Sequence, residues 1–374
     1  MSDTSIKGVQ RGFTTAGGRM AGLADHTLAA RFRAHAGEQT HLYGYAMRGL
    51  ADDLESGGPT REVVRGYVDA PAGAVIQLRL LAGIFRLVLT HRAPELEPYY
   101  PCLGGTAPAA EAWPVLREVI AAHIPELRDA LAIAPQTNEV GRSVALLAGL
   151  ADLAEATGCR RFRLLELGAS AGLNQLIAQF RISGVGWVWG PEDSPVQLPD
   201  AVEGMMPTPD GIEIVAARGC DLDPVDPTSA EGRLRLTSFV WPFDLHRHAR
   251  LAGALELATT RPPTVDRASA ADWLARQLSG EPEMDPMMLT VVWHSVTQLY
   301  WPAKELAAVE EILAGYGREH SLSEVGMEYP SQGGTHAEQP RVSTRYWAGD
   351  GSLPRRQTVG IAHDHGIPVR LTRS

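Results

Sequence analysis

Lysine and cysteine are scarce in this chain of 374 residues, and the net charge is −10. Lysine occurs only at Lys7 and Lys304, and the other basic residues are arginine. The chain has no basic cluster of the kind that neutralises phosphates, so nucleic acid is not expected as a partner. The three cysteines have no ligand spacing, which predicts neither a disulfide framework nor a metal site and fits a reducing compartment.

Long hydrophobic runs are also missing. No apolar run reaches membrane-spanning length, and residues 1–20 lack the apolar core of a signal peptide. A cytoplasmic protein without a membrane partner is therefore expected. Neither a lysine-bearing phosphate loop nor a zinc-protease helix occurs. Apolar residues nevertheless make up 44% of the chain, enough for one large domain or two ordinary ones.

A glycine-punctuated stretch is the most informative part of the sequence. Residues 162–167 form a short apolar run, which predicts a buried strand. Gly168 and Gly172 then bracket a tight turn, and apolar residues recur at helical spacing from Leu173 to Phe180. A strand, glycine turn and helix would present free backbone N–H groups and the positive end of a helix dipole to a ligand. Glycines would let that ligand approach the backbone closely.

The same stretch matches three known kinds of site. The S-adenosylmethionine loop of class I methyltransferases, acidic-x-Gly-x-Gly-x-Gly, would read Glu166-x-Gly168-x-Ser170-x-Gly172, with Ala169 and Asn174 beside the ligand. The dinucleotide fingerprint fits poorly, because it needs glycine at 170 and 173. Gly168-Ala-Ser170-Ala-Gly172 also matches the nucleophile elbow of hydrolases literally. An ordinary strand-to-helix turn is the remaining interpretation.

Residues 1–135 are predicted to be a helical N-terminal region, and residues 136–374 a Rossmann-like domain. A helix with Thr137 as N-cap is expected to end at about Thr157 and to run antiparallel to the following strand. Its N-terminus would then lie beside the glycine turn. Asn138 and Arg142, spaced i and i+4, would share a face and bind a ligand carboxylate. A capped helix start with a surface arginine explains them equally well.

Acidic residues after the next strand are candidates for binding ribose hydroxyls. The apolar segment 212–218 predicts a strand that leads to Asp221 and Asp223. Such acids usually follow the glycine loop by about 20 residues. Asp221 follows Glu166 by 55, so an insertion at about 181–210, rich in glycine and proline, has to account for the excess. Glu192 or Asp193 would be the substitute.

Two further strands supply the remaining candidates. Residues 263–266 predict a third strand, after which Ser269 and Asp272 would meet an adenine ring or simply begin a helix. Residues 287–293 predict an apolar strand that ends in His294 and Ser295. This strand is expected beside the glycine-turn strand, with His294 as a general base and Ser295 next to it.

The order of elements predicts an α/β fold with a Rossmann-like, seven-stranded, mostly parallel sheet of the class I methyltransferase type. Residues 341–347 and 356–363 would form a terminal antiparallel hairpin. A hydrolase is less favoured, because the nucleophile strand of that fold normally follows several others. As a nucleophile, Ser170 would also sit close to Glu166, whose charge would lie unfavourably beside the nascent oxyanion of the substrate. His294, His363 or His365 with Asp364 would complete a catalytic triad.

Four stretches resemble a bacterial family, domain-of-unknown-function family 2332. They are Gln136-Thr-Asn-Glu-Val-Gly-Arg, Leu165-Glu-Leu-Gly-Ala-Ser-Ala-Gly-Leu-Asn, Arg218-Gly-Cys-Asp-Leu-Asp-Pro-Val-Asp-Pro and Val292-Trp-His-Ser-Val. The resemblance implies membership over nearly the full length but brings no established activity. The residues themselves favour an S-adenosylmethionine-dependent methyltransferase acting on a small molecule. The alternatives are a serine hydrolase using Ser170 and a catalytically inactive cofactor-binding or scaffold protein.

Overall fold

The computed structural model describes residues 27–136, 138–279, 287–330 and 338–372. These residues divide into two compact units. One comprises 27–136 with 233–248, and the other comprises 138–232 with the described residues from 249 onward. Within the described ranges no helix is both long and apolar enough to cross a membrane.

The first unit is helical. Its helices before residue 137 are α1 (Leu28–Ala36), α2 (Leu42–Glu55), α3 (Pro59–Val63), α4 (Ile76–Leu89), α5 (Ala112–Ala122) and α6 (Ile124–Ala130). Short 3-10 turns, Pro94–Tyr99 among them, connect α4 to α5. The helices form where apolar residues recur every three or four positions, and the side chains of Phe32, Met47 and Phe85 are buried in the shared core.

The second unit contains the sheet. Its strands are β1 (Arg161–Leu167), β2 (Arg181–Gly184), β3 (Trp187–Trp189), β4 (Gln197–Leu198), β5 (Val202–Glu203), β6 (Glu213–Asp221), β7 (Val265–Arg267), β8 (Met288–Ser295), β9 (Leu322–Glu328), β10 (Arg341–Trp347), β11 (Arg355–Ala362) and β12 (Val369–Leu371). Its helices are α7 (Ser143–Thr157), α10 (Ala270–Ser279) and α11 (Ala303–Gly317). The unit boundaries fall within α8 (Ala230–Ser238) and α9 (Leu245–Thr260).

Nine of the described strands form one sheet in the order β5-β12-β11-β10-β9-β8-β1-β6-β7. Strands β7, β6, β1, β8 and β9 are parallel neighbours, so the first strand of the unit lies in the middle of this parallel part. The strand order therefore reverses between β1 and β8. Open α/β sheets bind ligands at such a switch point, beyond the carboxyl ends of the strands. We call this side of the sheet the carboxyl edge.

Helices cover both faces of the parallel part. The helix α7 packs on β9 and β10, and a Cβ atom on Gly149 would lie 2.4 Å from Cγ1 of Val325. On the other face, Trp273 of α10 and Leu313 of α11 share a core with Leu165 of β1 and Val292 of β8. Because both faces are covered, five of the seven residues of β1 and five of the eight residues of β8 are buried.

The observed sheet differs from the expected one in size. The predicted α/β class is confirmed, and the predicted terminal hairpin is present as β10 and β11. In the described ranges, however, β12 and β5 extend the sheet to nine strands. Segment 181–210 supplies β5 and a separate three-stranded sheet of β2, β3 and β4. It is therefore a folded insertion between β1 and β6.

Candidate functional site

The glycine turn after β1 is fastened to the end of β6. Gly168, Ser170 and Gly172 all have positive φ, of 69°, 56° and 73°. The backbone N–H of Ala169 donates to the carbonyl of Cys220 at 2.9 Å, and that of Ser170 donates to Oδ2 of Asp221 at 2.8 Å. The predicted turn is thus present. The segment that follows it, Leu173–Gln179, is a 3-10 helix rather than an α-helix.

The glycines of the turn are needed for contacts within the protein. A Cβ atom on Gly168 would lie 2.2 Å from Oγ1 of Thr297, and one on Gly172 would lie 2.8 Å from Pro263 and Val265 side-chain atoms. In the direction in which a side chain would point, the space beside Gly168 and Gly172 is occupied by protein atoms. The expectation that this space is open to a ligand is therefore wrong. Neighbouring loops fill that space, and a ligand would meet the turn through its backbone.

Glu166 is buried at the end of β1 with an incompletely satisfied carboxyl group. Its Oε1 lies 3.5 Å from Nδ2 of Asn174, and its Oε2 has no hydrogen-bond partner among the described residues. Burial raises the pKa of Glu166 to about 8, against the opposing influence of Asn174, Gln175 and the Trp293 indole. The carboxylate predicted here is therefore mostly a neutral carboxylic acid at pH 7, able to donate as well as accept.

Ser170 presents a second incomplete group in the same turn. Its side chain is buried, and Oγ has no hydrogen-bond partner in the described part of the chain. Both backbone groups of this residue are hydrogen-bonded. Its N–H donates to Asp221, and its carbonyl accepts from the N–H of Val225 at 3.2 Å. The hydroxyl is thus held rigidly while its own donor and acceptor capacity stays open.

Asp221 is the last residue of β6, the strand next to β1, whereas the sequence predicted a strand over 212–218 that leads to it. Its Oδ2 accepts from Ser170, and its Oδ1 accepts from the N–H of Asp223 at 2.9 Å. The folded insertion accounts for the long spacing, and Glu192 and Asp193 lie in an exposed turn of that insertion. Asp223 is half-exposed, and its Oδ1 lies 3.0 Å from Nη1 of Arg267. Asp221 is thus the acid that lies at the glycine turn.

The segment before α7 also reaches the turn, but in a different way from the one predicted. Asn138 has a φ of 32°, and its Oδ1 accepts from the N–H of Leu173 at 2.9 Å. A 3-10 turn over Val140–Arg142 precedes α7, so Asn138 and Arg142 do not share a helix face. Glu139 caps that 3-10 turn. The predicted N-cap, Thr137, lies outside the described residues.

Arg142 binds main-chain carbonyls. Its Nε donates to the carbonyl of Asp364 at 3.1 Å, and its Nη1 donates to the carbonyl of Ser295 at 3.3 Å. Asn174 is tied down in the same manner, since Oγ of Ser143 donates to its Oδ1 at 2.7 Å. These side chains connect the loops of the carboxyl edge. The expectation that Asn138 and Arg142 bind a ligand carboxylate has no support in these contacts.

Ser269 and Asp272 begin a helix. Oγ of Ser269 accepts from the backbone N–H of Asp272 at 3.3 Å, and Asp272 is exposed in the first turn of α10. This is the usual arrangement of an N-cap serine followed by an acid near the positive helix end. The capped helix start accounts for both residues without a ligand.

His294 lies beside the glycine-turn strand, as predicted, but its ring is fully engaged. It pairs in register with Leu167 of β1. Its Nε2 lies 3.1 Å from Oε1 of Glu324, and its Nδ1 lies 3.0 Å from Oε1 of Glu328. Burial alone would lower the pKa of His294, but the hydrogen bonds to the two glutamates outweigh it and raise the pKa to about 9.

The surroundings of His294 correct its expected role. An imidazole that is protonated at pH 7, with both nitrogens bonded to carboxylates, cannot take a proton as a general base. Glu324 also bonds to Arg345, and despite burial these two cationic partners lower the pKa of Glu324 to about 2. His294 is therefore a member of a buried ionic network. Ser295, half-buried, contributes its carbonyl to Arg142.

Sequence reasoning missed the residues that hold the loop after β8. Glu328 accepts from the backbone N–H groups of Thr297 at 3.1 Å and of Gln298 at 3.3 Å. Val296 has a φ of 49°, which is uncommon for a β-branched residue. The available signal was a pair of acids within a strand, since Glu324 and Glu328 lie four residues apart and so on one face of β9.

Comparison with known proteins identifies a family but no activity. No curated protein and no solved structure matches the chain. A family model described as an uncharacterized protein conserved in bacteria, DUF2332, matches residues 26–370. The chain belongs to this family.

Proposed function

We propose that this protein binds S-adenosylmethionine at the carboxyl edge of β1 and β6 and methylates a small molecule. The observation that carries the proposal is the position of Asp221. Its carboxylate lies at the end of the strand next to β1 and accepts from the backbone of Ser170, in the middle of the glycine turn. A carboxylate at this place is suited to bind the two hydroxyl groups of a ribose.

The strand order supports the same proposal. Numbered from β1 within the parallel part, β7-β6-β1-β8-β9 is the order 3-2-1-4-5. Doubly wound folds with this order bind nucleotide-containing ligands where the order reverses. Glu166 and Ser170 belong to β1 and to the turn after it, which border that reversal, and Asp221 ends β6 on the other side of β1.

The groups at the turn fit a ligand rich in hydroxyl and amine groups. Oε2 of Glu166 and Oγ of Ser170 are buried without partners within the described ranges, and such atoms normally find one. Each carboxylate oxygen of Asp221 accepts one hydrogen bond here and has a further lone pair. When bound, S-adenosylmethionine would supply a methyl group activated by its sulfonium. Asp221 would orient its ribose, and Glu166 and Ser170 would bind its polar groups.

Isothermal titration with S-adenosylhomocysteine tests the proposal. Wild-type protein should bind, and Asp221→Asn should weaken binding by about 10- to 100-fold, the usual effect of losing a charged hydrogen bond. The matched control is Asp272→Asn, because Asp272 is exposed in α10 and should leave affinity unchanged. Absence of binding by the wild type at millimolar ligand would contradict the proposal.

A hydrolase that uses Ser170 is the second candidate. The observation in its favour is that Ser170 has a positive φ in a turn of the Gly-x-Ser-x-Gly type and that its buried Oγ has no hydrogen-bond partner among the described residues. Both ring nitrogens of His294 are bonded to glutamates, so this histidine cannot activate the hydroxyl. We expect no labelling by a fluorophosphonate probe. A covalent adduct on Ser170, lost in Ser170→Ala, would reverse the order of the two candidates.

A further inference from the structure

We propose that residues 296–300 form a lid that is closed over the Gly168 turn, with Glu328 as its latch. In the closed position Thr297 takes space at Gly168 that a ligand would need, so the lid opposes binding until it opens. The identity of that ligand rests on the proposed function, whereas the lid and its latch rest on the contacts of the lid itself.

Thr297 provides the contact that closes the turn. A Cβ atom on Gly168 would lie 2.2, 2.9 and 3.3 Å from Oγ1, Cβ and Cγ2 of Thr297. Glycine is therefore required at 168 for the loop after β8 to reach this place. A ligand that approaches Gly168 from the same side has to displace Thr297.

Glu328 fastens the lid to the end of β9. Its two oxygens accept from the N–H of Thr297, and Oε2 also accepts from the N–H of Gln298, the first residue of the 3-10 turn Gln298–Tyr300. The same carboxylate bonds to Nδ1 of His294, one residue before the end of β8. A single side chain thus joins β8, β9 and the lid, and charge-assisted bonds of this kind are the stronger ones.

The hinge of the lid is strained in the closed position. Val296 joins β8 to the lid with a φ of 49°, although its N–H still bonds to the carbonyl of Met327 at 2.8 Å. Left-handed backbone at a β-branched residue persists only where the surroundings impose it. The bonds of Glu328 impose it here. Loss of those bonds would let the lid leave Gly168 and relieve the strain at Val296.

Native-state amide hydrogen exchange tests the latch. In Glu328→Gln the amides of Thr297 and Gln298 should exchange at least tenfold faster than in the wild type, because the side chain loses its charge and one acceptor oxygen. Glu319→Gln, which changes an exposed glutamate, is the matched control and should leave both rates unchanged. The amide of Leu165 in the middle of β1 should stay protected in all variants. Wild-type rates at 297 and 298 in Glu328→Gln would overturn the latch.

Ligand titration tests the closure and remains available if Glu328→Gln fails to fold. Thr297→Gly removes the blocking side chain and should bind S-adenosylhomocysteine several-fold more tightly than the wild type. Thr297→Ser keeps Oγ and is the control, with wild-type affinity expected. Equal affinity in all three would overturn the closure while leaving the proposed function intact. Faster exchange in Glu328→Gln without binding by any variant would overturn the proposed function and support the latch.

Discussion

Nε2 of His294 lies 3.1 Å from Oε1 of Glu324, and both side chains are buried in the sheet. Glu324 also bonds to Arg345, and His294 also bonds to Glu328, the residue that holds the lid. Cations and anions alternate along this series. A buried charge is tolerated when it is paired and hydrogen-bonded in this way, and removal of one member leaves its neighbour uncompensated.

Stability should fall on the alkaline side because of His294. Its pKa is about 9 in the folded protein and 6.5 in the unfolded chain, so the folded state binds the proton more tightly. The resulting stabilisation is fully present below pH 6.5 and is lost as the pH rises through 9, with a full loss on the order of 3 kcal/mol. The free energy of unfolding, measured with urea between pH 6 and 10, checks this.

The matched variants for that experiment are His294→Gln and His246→Gln. His294→Gln should remove most of the alkaline loss while lowering stability at pH 6. His246 is exposed, and its replacement should leave the profile as it is in the wild type. A profile of His294→Gln with the same alkaline loss as the wild type would contradict the assignment of the titration to His294.

Gly168→Ala should destabilise the fold. The new Cβ would meet Thr297 and would also have to accept a φ of 69°. Gly158→Ala is the control, because Gly158 has a φ of 75° and no atom within 4 Å of its Cβ position. The control should cost about 1 kcal/mol of unfolding free energy, the cost of left-handed backbone alone.

The excess loss in Gly168→Ala over that control measures the clash. Overpacking of this kind typically costs a further 1–3 kcal/mol or so. Thr297→Gly in the same chain should recover much of the excess, which a double-mutant cycle by chemical denaturation would show. Equal losses of unfolding free energy in Gly168→Ala and Gly158→Ala would mean that Thr297 moves away from the new Cβ atom without destabilising the fold.

Glu166→Gln should stabilise the protein most at alkaline pH. Burial raises the pKa of Glu166 to about 8, above its ordinary 4.5, so the unfolded chain loses this proton first as the pH rises. Stability contributed by the protonated form is therefore lost between pH 4.5 and 8, by an amount on the order of a few kcal/mol. The amide does not titrate and should remove that loss.

Unfolding of Glu166→Gln and of the exposed control Glu192→Gln at pH 5 and pH 8 would measure the effect. The gain of Glu166→Gln over the wild type should be larger at pH 8 than at pH 5, and the control should show no such difference. A gain that does not depend on pH would show that Glu166 keeps its ordinary pKa in the fold.

Ser170→Gly should be tolerated by the fold and raise stability by up to about 1 kcal/mol. Glycine accepts the φ of 56° without steric cost, and the Oγ that is removed has no partner in the described part of the chain. Ser170→Ala keeps the strained backbone and should not share the gain. Thermal unfolding of both variants would decide, and a loss of more than about 1 kcal/mol in Ser170→Gly would reveal a structural bond of the hydroxyl.

The strands around the site were predictable because their signal is local. Residues 162–167 are an apolar run that ends in glycine, and the observed β1 is Arg161–Leu167. Strands β6 and β8 and the terminal hairpin follow from similar patterns, and the parallel neighbours of β1 follow from the order of elements. Asp221 was predicted to follow a strand, and it lies at the turn because that strand, β6, pairs with β1.

The contacts of the site were not predictable because their partners are remote in sequence. Glu324 and Glu328 follow His294 by 30 and 34 residues, and no local pattern indicates that they bond to its ring. The prediction of an α-helix after Gly172 was wrong for a related reason. Asn174 and Gln175 are buried and bond to Ser143 and to the backbone of Thr264, which fixes a 3-10 segment in place of a helix.

The strands at the two edges of the main sheet are very short: β5 has two residues and β7 has three. Unpaired N–H and carbonyl groups along an edge strand can recruit strands of other molecules and start aggregation. Charged side chains stand on both edges, with Nε of Arg370 bonded to Glu203 at one and Arg218 bonded to Asp266 at the other. A sheet of this width therefore offers little template for intermolecular pairing, and part of that protection comes from the insertion that supplies β5.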